Sequence, residues 1–351
     1  MKIRSRYLGI SVTLCLASLG LYIRLLGPAD KGVTDDRWHC MSQPLNTSQS
    51  ENIRIFRDAS KFGFKYASMS TDGSLHFPFK YSLVPPSPCP ANMELFVFVH
   101  SKPSHVEHRL FIRTSWGDPS RFPLQVVFVM GWPADRRQQQ LVRTEHELYG
   151  DILQADFKDA YRNLTYKYMT GIKYVIEKCG HVPYVLKTDD DMFVNMFALL
   201  AVIRSLPARR CHGLILCDLI KQPVPKREPD DKWYITKTDW PYPNYPDYCP
   251  GSALLMSGDV FPVLYHNYRS APLFWMDDVY VTGILTEMTG VPRQALKSYH
   301  EDLKVLEKVY ANNSLHSSYK DYIFCHSKDF TKMESIWEKV VQLYQNAANN
   351  S

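Results

Sequence analysis

Beyond residue 90 the chain alternates short apolar runs with stretches of helical periodicity, and this alternation sets the fold class. Leu95-Phe96-Val97-Phe98-Val99 reads as a buried strand, followed by a polar turn and a helix through Arg109, Ile112, Arg113 and Trp116. Gln125 to Met130 predicts a second strand, ended by Gly131; a helix from Asp135 to Tyr149 then leads into Asp151-Ile152-Leu153-Gln154-Ala155-Asp156-Phe157. Tyr161, Leu164, Tyr168, Ile172, Val175 and Cys179 recur at three- and four-residue steps, the mark of a core-facing helix. Pro183-Tyr184-Val185-Leu186-Lys187 is a third strand, and it runs straight into Thr188-Asp189-Asp190-Asp191. The pattern predicts a largely parallel α/β sheet, in which ligands collect at the carboxyl ends of the strands.

Before residue 90 the text is different. Lys2, Arg4 and Arg6 precede a run from Tyr7 to Ile23 that is free of Asp, Glu, Lys, Arg and His. As a helix that run spans about 26 Å, enough for a thin bilayer, and the basic end should stay in the cytoplasm. The expected organisation is a cytoplasmic tail (1–6), a signal anchor (7–26), a lumenal stem (27–90) rich in Ser, Asn and Pro, and one catalytic domain (91–345). A cleaved signal peptide, with Ala17, Ser18 and Gly20 near its end, would deliver the rest to the same compartment. Sequons at Asn46, Asn163 and Asn312 suit the lumen, as do cysteines spaced unlike any zinc motif. Disulfides are therefore expected. Seven lumenal cysteines leave one free or paired between chains, and Cys40 is the candidate for a link that would make a homodimer. The net charge of +5 is scattered along the chain, so no nucleic-acid footprint is indicated.

Three adjacent carboxylates at a strand tip repel one another unless a cation or hydrogen-bond donors compensate them. In extended chain Asp189 and Asp191 face one side and Asp190 the other, so the outer two can share a ligand. Oxygen ligation suits Mn²⁺ or Mg²⁺ holding a diphosphate, whereas a bare acidic turn would be solvated. A second acidic pair, Asp277-Asp278, opens an apparent helix from Val279 to Thr289; one carboxylate is a candidate base for deprotonating a hydroxyl, and either one is a candidate helix cap. His326 is a candidate further metal ligand, with a structural role as its alternative. Arg109 and Arg113, four apart on one helix face, could bind phosphate or base, or pair with acids.

These pieces resemble the β1,3-glycosyltransferase family, which includes β1,3-galactosyltransferases, β1,3-N-acetylglucosaminyltransferases and, more distantly, the Fringe enzymes. The matching blocks, in order, are Arg109-x-x-Ile112-Arg113-x-Ser115-Trp116-Gly117, Tyr149-Gly150-Asp151-Ile152, Asp156-Phe157-x-Asp159-x-Tyr161-x-Asn163-Leu164-Thr165-x-Lys167 and Lys187 to Asn195. After them come Lys232-Trp233-Tyr234, Tyr245-Pro246-x-Tyr248-Cys249-x-Gly251 and Asp277-Asp278-Val279-Tyr280-x-Thr282-Gly283. The resemblance implies a GT-A fold, a UDP-sugar donor with galactose favoured, a glycan acceptor, Mn²⁺, inversion to a β1,3 bond and a Golgi membrane location. Carried onto this chain, it makes Asp191 the principal metal ligand, with Asp189 beside the nucleotide and His326 near metal and diphosphate. It makes Asp278, or failing it Asp277, the base. Arg109, Arg113, Trp116, Lys187 and Asp190 fall with the nucleotide site, and Trp233, Tyr248 and Gly251 with the substrate. Gly251-Ser252-Ala253-Leu254 departs from the family's Gly-x-Gly-Tyr, and Asp277 replaces a commoner Glu. Transfer of N-acetylglucosamine or N-acetylgalactosamine stays open, as do an inactive glycan-binding protein on the same fold and a metal phosphohydrolase or glycosidase.

Overall fold

The computed structural model describes residues 78–87, 89–206, 212–296, 298–300, 303–311 and 322–349. The expected tail, the anchor and most of the stem lie outside the described residues, and so do Asn46, Asn312, Cys40 and Cys211. Among the described residues no helix is long and apolar enough to cross a membrane.

The first half of the domain runs β1 (Tyr81–Leu83), β2 (Leu95–His100), α1 (Val106–Thr114), β3 (Leu124–Trp132), α2 (Arg136–Tyr149), β4 (Ile152–Lys158), α3 (Leu164–Lys178) and β5 (Tyr184–Asp189). Then follow β6 (Met192–Val194), α4 (Met196–Ser205), β7 (Ile215–Cys217), β8 (Ala253–Ser257) and α5 (Val260–Asn267). A π-helical segment at Val279–Leu285 continues into α6 (Thr286–Thr289). The chain closes with β9 (Arg293–Ala295), β10 (Tyr299–His300), α7 (Leu303–Ala311), β11 (Phe324–His326) and α8 (Phe330–Asn349).

One sheet carries the strands in the order β1-β4-β3-β2-β5-β8-β7-β9, and a small second sheet the order β10-β11-β6. The centre, β4-β3-β2-β5, is parallel; β1 and β8 run against their neighbours. The sheet is thus mixed and mostly parallel, flanked by helices, as a GT-A type fold requires. Strand β2 is buried along its whole length because both faces are covered. Leu95, Val97 and Val99 join the core under α4 and α8, while Phe96 and Phe98 join the core under α3 and α5. Period-two alternation thus serves two cores, and each such side chain contributes about 1.5–3 kcal/mol.

The boundaries differ from expectation in three places. Strand β1, expected in the stem, pairs with β4, and Cys89 is bonded to Cys179 at the end of α3, so the domain begins before residue 91. Strand β3 runs through Gly131 to Trp132 rather than ending at Met130. The segment after Asp278 starts as π-helix, a local widening of the ladder often found at functional sites. Helix α2 is as expected: the Asp135 carboxylate caps its start, and Gly150 ends it at φ 67°, a left-handed turn that suits glycine. A second disulfide, Cys217–Cys249, ties the end of β7 to the chain just before β8.

Candidate active site

The parallel strands β2 and β5 end side by side, and the cleft forms at their carboxyl ends. Three backbone bonds fix the acidic tip of β5. Asp189 N–H donates to Ser252 O at 3.0 Å, Asp190 N–H to His100 O at 3.2 Å, and Ser327 N–H to Asp191 O at 3.0 Å. Asp190 and Asp191 form the turn between β5 and β6, and the three carboxylates find separate partners. Asp190 is buried and turns toward α1, where His105 Nδ1 lies 2.9 Å from Oδ2 and His108 Nδ1 3.4 Å from Oδ1. Burial alone would raise the Asp190 carboxyl, but hydrogen bonds from the two imidazoles outweigh it and hold the group well below the carboxylate range. His108 is raised in turn, its contacts with Asp190 outweighing burial.

Asp191 points the other way, with Oδ2 3.0 Å from His326 Nε2, and both side chains remain partly exposed. That hydrogen bond is the main reason the His326 imidazole is raised. Asp189 Oδ1 accepts from Lys187 Nζ at 2.7 Å; Lys187, 1% exposed, also donates to the Gly251 carbonyl. Gly251 packs closely here: a Cβ would stand 3.1 Å from Lys187 Nζ, close enough that the ammonium would have to shift. The cleft therefore has a buried ammonium at its centre. On its far side Asp277 is buried, and its carboxyl is pushed up to about 7, first by burial and then by Asp278 and Asp189 acting against Lys187. Asp278 is partly exposed and also raised, chiefly by burial. It is Asp278, not Asp277, that caps the helix, accepting from Val279 N–H at 2.8 Å through Oδ1.

Two donor clusters could hold a metal. Asp191 and His326 offer one oxygen and one nitrogen 3.0 Å apart, both partly exposed, a donor set that suits Mn²⁺. His105, His108 and Asp190 also bring three ligand atoms within 4.8 Å of one another. Those imidazoles, however, are stacked 4.0 Å apart with planes 15° from parallel, so one ion cannot lie in the plane of both rings. The first cluster fits the better.

The arginines predicted for the nucleotide are occupied elsewhere. Arg109 is fully buried, and its guanidinium donates to both Glu145 oxygens, Ser101 Oγ and the carbonyls of Lys102 and Pro103. Arg113 pairs with Asp151 and Glu145 and lies over the Tyr149 ring. Trp116 is buried and donates Nε1–H to Met192 O at 3.1 Å, bracing β6. Arg109 and Trp116 thus have every side-chain N–H engaged by the protein, whereas Arg113 engages each of its three nitrogens once with a carboxylate. Lys167 and Asp159, buried and 2.9 Å apart, likewise tie the turn at Ser101 to strand β3 at Gly131. Asn163 is partly exposed on the surface, its amide donating to Lys158 O.

One wall of the cleft is aromatic. Tyr161 and Trp233 are exposed, Tyr161 lies 6.0 Å from Trp275, and Lys232 stands 4.5 Å above the Tyr161 ring. Tyr161, pushed up to about 12 chiefly by burial, hydrogen-bonds Trp233 and feels Asp278; Tyr248, also raised chiefly by burial, feels both Asp278 and Tyr161. His100, His105 and His108 were not singled out from the sequence, although His100 ends strand β2, His105 stands in the turn that follows it and His108 in the first turn of α1.

Residues 107–297, just over half of the chain, match the family described as Galactosyltransferase. The chain belongs to that family. Among galactosyltransferase relatives, human beta-1,3-galactosyltransferase 5 is 32% identical over 207 residues, covering 58% of this chain and 66% of the human protein. Rat UDP-GlcNAc:betaGal beta-1,3-N-acetylglucosaminyltransferase 7 is 34% identical over 59% of this chain and 54% of the rat protein. Mouse beta-1,3-galactosyltransferase 1 is 29% identical over 65% and 71% respectively. The chain thus matches just under two thirds of the human relative's length. A solved WbbM bifunctional glycosyltransferase overlaps at 8% identity and TM-score 0.35, covering 72% of this chain and 51% of that one, and nothing rests on it.

The buried acid makes a test of the site's electrostatics. Asp277's folded value of about 7 exceeds that of an unfolded aspartate, about 3.9, so the fold favours the protonated form. That advantage is complete below the unfolded value and is lost as pH rises through about 7, at a cost of roughly a few kcal/mol. Asp277→Asn should therefore melt several degrees above the parent at pH 8 and level with it at pH 4. An equal offset at both pH values, measured by thermal unfolding, would refute the assignment.

Proposed function

We propose that this protein transfers a sugar, galactose by preference, from a UDP-sugar to a glycan hydroxyl in β1,3 linkage with inversion. The observation that carries this reading is the opposition of the Asp191–His326 pair to the Asp277–Asp278 pair across Lys187 and Gly251. Asp191 and His326 hold the divalent cation, Mn²⁺ or Mg²⁺, with Asp189 beside the nucleotide. When bound, that ion offsets the charge developing on the UDP leaving group. The stacked His105 and His108, pinned by Asp190, flank the nucleotide end of the cleft.

Asp278 takes the proton from the acceptor hydroxyl as that oxygen attacks the sugar carbon from the face opposite UDP. The same carboxylate accepts from Val279 N–H through Oδ1, which fixes its direction at the start of the π-helical segment. Trp233, Tyr161 and Tyr248 offer flat faces and hydroxyls to the acceptor sugar. Galactose is placed first because relatives from human and mouse are named for it, and N-acetylglucosamine second because the rat relative is. The apolar run at 7–26 is read as a type II Golgi anchor, which puts this domain in the lumen.

The deciding experiment measures UDP binding with and without Mn²⁺, then transfer from UDP-galactose, UDP-N-acetylglucosamine and UDP-N-acetylgalactosamine to a panel of glycans. Metal-dependent UDP binding with transfer to at least one glycan is expected. Absence of UDP affinity at saturating Mn²⁺ would refute the proposal, and binding without turnover would favour the glycan-binding alternative.

A further inference from the structure

His100 closes strand β2 and is only 5% exposed, yet neither ring nitrogen has a hydrogen-bond partner. Its Nδ1 stands 3.6 Å from Asp277 Oδ2 and 4.0 Å from Asp189 Oδ1, between the two acidic arms of the cleft. The rest of the ring packs against Tyr168 and Phe98, with centroids at 5.5 and 6.0 Å. Unpaired buried nitrogens are destabilising, and an apolar side chain would fill this position without that penalty. Burial first, then Lys187 and Lys167, hold the imidazole neutral. A neutral ring that faces two carboxylates with Nδ1 presents its single N–H there.

The backbone points the same way. His100 O accepts from Asp190 N–H, so a shift of the acidic strand tip carries the ring with it. We propose that His100 is a positioning residue that links the two acidic arms, donating Nδ1–H to Asp277 Oδ2 when the occupied cleft contracts by a few tenths of an ångström. Asp277 held in this way fixes the start of the π-helical segment, and with it the direction in which Asp278 faces the acceptor. The inference rests on the transferase reading above and goes beyond it by assigning a residue that does not touch the reacting atoms.

The test uses the full chain with His100→Leu and His100→Asn. Leucine removes both nitrogens, whereas asparagine retains an N–H donor close to the place of Nδ1–H. Expected for His100→Leu is a loss of kcat on the order of 10- to 100-fold, with UDP affinity and donor KM nearly unchanged and Tm unchanged or raised. Asparagine should restore most of kcat. Wild-type kcat in His100→Leu, or a loss that follows Tm in both variants without rescue by asparagine, overturns the proposal. If the parent protein transfers no sugar, the transferase reading fails separately. His100 is then judged by ¹⁵N NMR in the presence of UDP and Mg²⁺: an Nδ1–H signal that is lost in Asp277→Ala supports the link, and an Nε2–H tautomer refutes it.

Discussion

Asp191→Ala should lower kcat/KM for sugar transfer by on the order of 10³ and weaken Mn²⁺-dependent UDP binding, while leaving the fold intact. Its carboxylate is partly exposed and, among the described residues, bonds only to His326, so its removal strands no buried charge. Its backbone carbonyl, which accepts from Ser327, is unaffected, and the tip of β5 stays in place. What is lost is an oxygen ligand on a site with two protein donors. An imidazole alone holds a hard cation poorly, so the defect should be relieved only in part by raising Mn²⁺. Isothermal titration of UDP at several metal concentrations, set beside initial rates, checks both halves. Undiminished UDP binding at low Mn²⁺ would move the metal elsewhere.

Asp278→Asn should remove transfer by a factor on the order of 10²–10⁴ and spare UDP binding. The substitution isolates basicity from structure. Asparagine retains an oxygen to accept from Val279 N–H, so the helix cap survives, and no volume is added beside Gly251. Product formation at saturating donor and acceptor, measured with UDP affinity on the same preparation, gives the answer. Near-normal transfer would move the base to Asp277, whose asparagine variant would then lose activity instead.

Much of the central architecture is readable in the chain because its determinants are local. Strands β2 and β5 show as apolar runs of strand length, and α3 as a three-four repeat, since each buries side chains at a spacing that its own geometry sets. The separate partners of Asp189, Asp190 and Asp191 are set by the turn between β5 and β6, which a strand reading of the three aspartates does not contain. The fate of Arg109 and Arg113 is not local either. Their partners Glu145 and Asp151 lie more than thirty residues away, and a guanidinium suits a carboxylate as well as it suits a phosphate. The π-helical start at Val279 is likewise invisible, because its apolar residues fit an ordinary helix. Pairing of β1 with β4 depends on chain return rather than on local pattern, which is why residues 81–83 read as stem. His100 carries no signal in the sequence; its unpaired nitrogens arise only once the sheet and the 277–278 turn meet.

The Cys217–Cys249 bond closes a segment that carries Trp233 and Tyr248 and contributes no strand to the sheet. Both of its ends are fixed at one doorway, and Ile235, Trp240 and Tyr245 inside it are buried in the core under α3 and α5, so the segment is anchored at its middle as well as at its ends. Variation is therefore best tolerated at its exposed positions, such as Val224 and Trp233, where a new side chain changes the outer surface and leaves the anchoring residues in place.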